Sequence, residues 1–242
     1  IYNGQNGKYF DPYLTDKALK FCLSTGKHMR YHALFDHSHI DKLLSQGKAL
    51  KDHDQILSEM KKFVMMSMNF INKNNKKMSD GSMLINKIEI FNELVEKNKN
   101  DKDFPYDMVW QKYFGITMDE ILSCFDEIEK PKGVEFMYNE TTLTESSKKR
   151  DKVENLLYEI ESIKPGFIDV FGDQMHLSDE DVMTESGKNN LKETAQMLRR
   201  IQNGNLLVEG NNLKILPKKV ECTEHDFHFT RNFLENYNIL QN

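Results

Sequence analysis

Two hydrophobic periodicities take turns along this chain, and their alternation constrains the fold more than any single motif does. KHMRYHALF reads as a strand, and from about Asp52 the apolar residues Ile56, Met60, Phe63, Val64, Phe70 and Ile71 recur at helical spacing. INKIEIFNE returns to a strand pattern. Thr117-Met118-Asp119-Glu120 then has the form of a capping box, ahead of a helix striped by Ile121, Leu122, Phe125 and Ile128. GVEFMYN follows as a strand, then a helix carrying Val153, Leu156, Leu157 and Ile160, then the strand GFIDVFGDQMH. A helix with Leu191, Ala195, Leu198 and Ile201 leads to the strand KKVECTEHDF, and TRNFLENYNIL begins one more helix. Strand and helix in strict turn predict parallel strands joined by crossovers. The methionine run VMMSM lies on the stripe of the first of these helices and reads as core packing.

A chain of 242 residues is long enough for one large α/β domain or two small ones. Its net charge of −5 is spread over scattered Lys, Asp and Glu, so neither nucleic acid nor an anionic membrane surface is an expected partner. No window approaches the roughly 18 apolar residues of a spanning helix. The first residues, IYNGQNGKYF, lack the charged start and apolar centre of a secretory leader. Cys22, Cys124 and Cys222 are odd in number and widely spaced, which suits small core residues better than a disulfide framework. The histidine pairs in HSH and HDFH do not match a zinc-binding helix of the form H-E-x-x-H, so no metal site and no cofactor are expected.

The chemistry-bearing residues collect at the C-terminal ends of the expected strands: His32 and His37, Asn92 and Glu93, Asn139, Gln174 and His176, Glu224 and Asp226. In a (β/α)8 barrel that end carries the active site, because the strand ends converge there and the loops open. Any one of these residues alone reads equally well as part of a solvated loop. Five strand ends with polar side chains exceed what a purely structural sheet requires. Asn-Glu occurs twice, at 92–93 and 139–140, and only one pair is expected to carry proton transfer.

The ordered set resembles glycoside hydrolase family ten, the (β/α)8 endo-β-1,4-xylanases. RYHALFDHSH at 30–39 is similar to that family's third-strand R-G-H-T-L-V-W-H-S-Q, and IEIFNE to its fourth-strand W-D-V-V-N-E. GITMDEILSCF followed by FMYNETT resembles the segment ending Y-Y-N-D-Y-N, IDVFGDQMHL resembles I-D-G-I-G-L-Q-G-H-L, and ECTEHDF resembles I-T-E-L-D-I. The resemblance covers the third to seventh barrel strands and implies one partial catalytic barrel over 1–242. It implies Glu93 as acid/base and Glu224 as nucleophile of a retaining glycosidase, whose two carboxyls stand ~5 to 5.5 Å apart. Asn92 would bind the sugar 2-hydroxyl, His176 and Asp226 would flank Glu224, and His32, His37, Asn139 and Gln174 would line the sugar pocket. Glu140 matches the aspartate of Y-N-D and is the pair member without a proton-transfer role.

Departures from the pattern bear on substrate. Asp36 and Ile88 stand where the family carries tryptophan, Leu43 where a sugar-contacting tryptophan is usual, and Tyr31, His39 and Thr141 where it carries Gly, Gln and Tyr. Aromatic faces stack on pyranose rings, so their loss removes binding area. Xylan is therefore the default substrate by resemblance, and a non-catalytic carbohydrate-binding or scaffold descendant of the barrel is the alternative. The first, second and eighth strands have no counterpart here. Further segments or chains are expected to complete the barrel, whose open edges native proteins avoid. Export from the cell is the expectation for a polymer-degrading member, with a cytoplasmic oligosaccharide-degrading enzyme as the alternative.

Overall fold

The computed structural model describes residues 12–36, 52–96, 107–144, 146–177, 182–208, 211–214 and 219–222. These form two compact units. The residues up to Asn92 together with Trp110–Met137 make the first, and Glu93–Val109 with those from Tyr138 onward make the second.

The first unit opens with helix α1 (Pro12–Thr25), followed by the short strands β1 (Met29–Tyr31) and β2 (Phe35–Asp36), helix α2 (His53–Asn74) and strand β3 (Ile85–Asn92). Both β1 and β2 pair in parallel with β3, with a register shift after Met29. KHMRYHALF is thus two strand pieces rather than one, interrupted at His32–Leu34. From Ile88 to Asn92 every residue of β3 is buried, as expected of a parallel strand covered on both faces. Helix α2 buries Ile56, Met60, Val64, Ser67, Met68 and Ile71, a stripe at spacings of three and four. The methionine run does not pack as a block. Successive helical residues turn by about 100°, so Val64 and Met68 face the core while Met65 and Met66 stay exposed. Asn75, just past α2, pairs with Ile85 as a strand residue would: its Nδ2 donates to Ile85 O at 2.9 Å and its Oδ1 accepts from Ile85 N at 2.8 Å.

Helices α3 (Val109–Phe114) and α4 (Met118–Ser123) follow, and β6 (Glu135–Glu140) starts in this unit, beside β3. Thr117 does cap α4 with the reciprocal Thr117–Glu120 pair. The core collects Phe35, Trp110, Phe114, Phe125 and Phe136, and the rings of Trp110 and Phe125 stand edge-on to Phe35 at 5.9 and 6.1 Å. Cys124 is buried here, whereas Cys22 on α1 is half-exposed and not a core residue. Phe21 and Leu23 beside it are exposed, while Leu19 of the same helix is buried.

The second unit contains a small antiparallel pair, β4 (Val95–Glu96) with β5 (Asp107–Met108), the end of β6, helix α5 (Ser147–Ile163), strand β7 (Val170–Asp173) and helix α6 (Glu185–Gln202). A hairpin of β8 (Asn205–Val208) and β9 (Asn211–Lys214) precedes β10 (Lys219–Cys222). The strand order in this unit is β6-β7-β10, and β7 pairs with β10 in parallel, Val170 to Lys219 through Asp173 to Cys222. The hairpin is absent from the sequence reading, although two apolar runs separated by a Gly-containing pair are its signal. Val153, Leu156, Leu157 and Ile160 on α5 and Leu191 and Ile201 on α6 are buried at positions the periodicity marked, but on α6 Met197 is buried where Ala195 and Leu198 were expected, and those two are half-buried. The two helices are also clamped by ions, because Arg200 forks onto the buried Glu154 carboxylate at 3.1 and 2.7 Å. Among the described residues no helix is long and apolar enough to cross a membrane.

Candidate active site

The strand ends are where the backbone leaves its regular conformation. Glu93 follows β3 directly with φ +52°, Thr142 lies two residues past β6 with φ +52°, and Met175 lies two past β7 with φ +49°. A left-handed conformation is costly for residues other than glycine, and it persists where the surroundings over-determine it. At Glu93 the restraint is visible: its backbone N–H donates to Asn139 O at 2.9 Å. This turn takes the Glu93 side chain off the in-and-out alternation of β3.

Gln174 donates from Nε2 to Glu93 Oε1 at 2.9 Å, and Gln174 Oε1 lies 2.8 Å from His176 Nε2. An amide oxygen only accepts, so His176 carries its proton on Nε2 in this arrangement. Gln174 is almost wholly buried and its own N–H donates to Glu140 O at 2.9 Å, so the link between Glu93 and His176 is fixed at both ends. The structure therefore joins Glu93, Gln174 and His176 in one chain of hydrogen bonds. Asn139 is fully buried near the end of β6.

The other Asn-Glu pair behaves differently. Glu140 is fully buried: its Oε2 accepts from Tyr138 Oη at 2.7 Å and from Val95 N at 3.3 Å, and its Oε1 accepts from Thr141 N at 3.1 Å. Buried Lys149 lies 3.2 Å from Oε1 and donates to Thr142 Oγ1 at 2.8 Å. Burial, and then the Glu140 carboxylate, push the Tyr138 hydroxyl far above its ordinary pKa. Glu140 is committed to internal partners at both oxygens. Asp173, the last residue of β7, is also buried, with Met175 N on its Oδ1 at 3.1 Å and no partner for Oδ2 among the described residues. Burial, reinforced by the charge on Glu140, pushes its pKa up to about 6.

In the first unit, Asn92, His32 and Asp36 come together. Asn92 Nδ2 donates to Asp36 Oδ2 at 2.7 Å, and His32 Nε2 lies 3.9 Å from the same oxygen. His32 Nδ1 lies 3.1 Å from Glu89 Oε2, which Arg30 Nε also approaches, at 3.4 Å. The hydrogen bond to Glu89 raises the His32 pKa, against the effect of its partial burial. Glu89 and Asp36 are the members the sequence reading missed as site residues. The signal for Glu89 was present, a charge set in the otherwise apolar run IEIF. Trp110 is no sugar platform: it is buried in the core between Phe35 and Phe114. Ile88 is likewise fully buried. His37, Glu224 and Asp226, together with His39 and Leu43, lie outside the described residues.

A family model, glycosyl hydrolase family 10, matches residues 3–239, nearly the whole chain. The chain belongs to glycosyl hydrolase family 10. Solved structures agree on the fold. An endo-1,4-beta-xylanase from Caldicellulosiruptor owensensis superposes with a TM-score of 0.55 at 16% identity, covering 81% of this chain and 54% of that one. The intracellular xylanase of Thermoanaerobacterium saccharolyticum, in a mutant complex with xylotetraose, gives 0.55 at 16% identity, covering 81% and 58%. A family 10 structure from Paenibacillus barcinonensis gives 0.58 at 16% identity, covering 82% and 54%. No curated protein sequence matches this one. The fold is thus the family's (β/α)8 barrel in part, with parallel strands and crossover helices. The chain spans little more than half the length of these structures.

Proposed function

We propose that this family 10 chain carries the catalytic residues of a retaining, endo-β-1,4-xylanase-like glycoside hydrolase acting on β-1,4-linked plant polysaccharide. The observation that supports it best is Glu93, turned out of β3 in a left-handed conformation and held by Gln174, which His176 holds in turn. In this reading the Glu93 carboxyl gives its proton to the glycosidic oxygen as the bond to the anomeric carbon breaks. Glu224 attacks that carbon and forms the glycosyl ester. A water molecule, losing a proton to Glu93, then displaces Glu224 and releases the sugar with retained configuration. The Glu224 carboxylate raises the Glu93 pKa toward the working range of an acid catalyst. Asn92 receives the 2-hydroxyl, a contact that strengthens as the oxocarbenium ion develops. Asp226 and His176 orient Glu224, while His32, His37, Asn139 and Gln174 line the sugar pocket.

Xylan is the default substrate, supported by neighbours whose structures hold xylotetraose or xylobiose. Export suits a polymer substrate, although one neighbour is an intracellular xylanase. One observation favours a second reading, a non-catalytic carbohydrate-binding descendant. The aromatic side chains that would stack on sugar are replaced, and the single tryptophan is core. Reducing-sugar release from xylan, mixed-linkage glucan and cellulose by the full protein separates the two. Release from xylan, with the β-anomer as first product by proton NMR, is the expected result. Binding to a polysaccharide without release supports the second reading, and α-anomer formation removes the retaining mechanism.

A further inference from the structure

Two departures from the family pattern fall two residues apart at the end of β7. Where I-D-G-I-G-L-Q-G-H-L has leucine and then glycine, IDVFGDQMHL has Asp173 and Met175. The structure joins them. Met175 takes φ +49°, a left-handed conformation that glycine adopts readily and methionine does not. Its N–H donates to Asp173 Oδ1 at 3.1 Å, so the side chain bonds the backbone two residues on, a turn-forming contact. Asp173 is almost wholly buried, and its other oxygen has no partner among the described residues. A buried carboxyl with a single hydrogen bond is less favourable than the leucine of the pattern, so packing does not account for it. The contact with Met175 does.

We propose that Asp173 is a positioning residue that holds the turn at Met175 in place of the pattern's glycine, and through that turn the hydrogen-bonded run from His176 to Gln174 to Glu93. This deepens the reading of Glu93 as the acid/base and rests on it. Gln174 and His176 flank Met175, so the torsions of that one residue set how the two side chains meet, Oε1 to Nε2 at 2.8 Å. Gln174 in turn donates to Glu93 Oε1 at 2.9 Å. The chain enters the turn from a fixed point, because Gln174 N donates to Glu140 O at 2.9 Å. With methionine at 175 and no acceptor at 173, the left-handed conformation loses a hydrogen bond that favours it. The backbone then relaxes toward the extended region and His176 moves relative to Gln174. Asp173 and Met175 thus act as a pair, the carboxylate making up for the missing glycine.

The test measures kcat/KM in the full protein for two aryl β-xylobiosides, one releasing phenol and one releasing dinitrophenol. Only the first needs a proton from Glu93. Asp173→Leu is expected to lower kcat/KM for the phenyl substrate about tenfold, the scale of one hydrogen bond to a charged group, and to spare the dinitrophenyl one. Asp173→Asn, whose amide oxygen still accepts, should keep most of the activity. The double variant Asp173→Leu/Met175→Gly, which restores the pattern's own residues, should regain it, because glycine needs no such support. A merely structural role slows both substrates by the same factor and is not relieved by Met175→Gly. That outcome overturns the proposal, as does an Asp173→Leu protein with unchanged kinetics. Where Asp173→Leu alone does not fold, the double variant decides: regained activity upholds the pairing, and an inactive or unfolded double variant overturns it. A second readout needs no turnover. One Gln174 side-chain amide proton should resonate at low field in the wild type and in the double variant, and move to an ordinary position in Asp173→Leu. Identical Gln174 amide signals in all three overturn the positioning role. An inactive full protein that shows the expected pattern of signals defeats the proposed function while upholding the role of Asp173 at the turn.

Discussion

Glu93 and Glu140 share a dipeptide context, and their surroundings differ. Glu93 is half-buried and accepts from the neutral amide of Gln174. Glu140 is sealed among Tyr138, Val95, Thr141 and Lys149. Breaking a buried ion pair from one side costs about 3–5 kcal/mol, because the remaining charge is left without its counterion. Glu140→Gln should therefore lower the melting temperature markedly, and adding Lys149→Met should recover much of the loss, while kcat per folded molecule stays near wild type. Loss of turnover in a Glu140→Gln protein that remains folded would transfer the catalytic role to Glu140. Glu93 calls for a chemical test. Glu93→Ala should cripple polysaccharide hydrolysis yet spare more activity on an aryl glycoside, whose phenolate leaves without protonation. Added azide should then give the β-glycosyl azide from Glu93→Ala and the α-azide from Glu224→Ala, because only the former variant still forms the covalent intermediate. Exchange of the two stereochemical outcomes, read by NMR of the products, would exchange the two roles.

Among the elements, those whose signals are local match the sequence reading well. Thr117 and Glu120 form both halves of the capping box, at 3.3 Å from Glu120 N to Thr117 Oγ1 and 2.9 Å from Thr117 N to Glu120 Oε2. Thr117→Ala should cost about 1 kcal/mol, measured by urea denaturation, and Thr117→Ser should cost little. An alanine variant as stable as wild type would mean that packing of Met118, Ile121 and Leu122 alone holds α4. Elements whose signals depend on a partner were misread or overlooked. The strand KHMRYHALF breaks where its register on β3 slips: Tyr31 lies opposite Ile88 and Phe35 opposite Phe91, so the segment carries one more residue than β3 across His32–Leu34. The Asn75 clasp on Ile85 closes the α2-to-β3 connection through a side chain acting as backbone, and no periodicity announces such a contact.

For the whole molecule, the buried carboxyl of Asp173 makes stability depend on pH. Its pKa is raised from 3.8 to about 6, so the folded protein holds this proton more tightly than the unfolded chain does. The stability it contributes is complete below pH 4 and is lost as pH rises from about 4 through about 6. The full swing is on the order of 3 kcal/mol at about 1.4 kcal/mol per unit. Asp173→Asn should raise the melting temperature at pH 8 and leave it nearly unchanged at pH 4. An equal effect at both pH values would show that Asp173 does not titrate in this window. The sequence by itself determined the parallel β/α class and the capped helix, which follow from spacing between residues near one another in the chain, where solvent and helix or strand geometry impose a period. The family was legible by the resemblance of its strand-end motifs. Only the tertiary structure decided that Asp36 meets Asn92 across 56 residues and that Gln174 meets Glu93 across 81. It also decided that Glu140 is a sealed ion-pair partner. Such partners are set by strand register and by which side chains the packing brings within hydrogen-bond range, and a one-dimensional pattern carries neither.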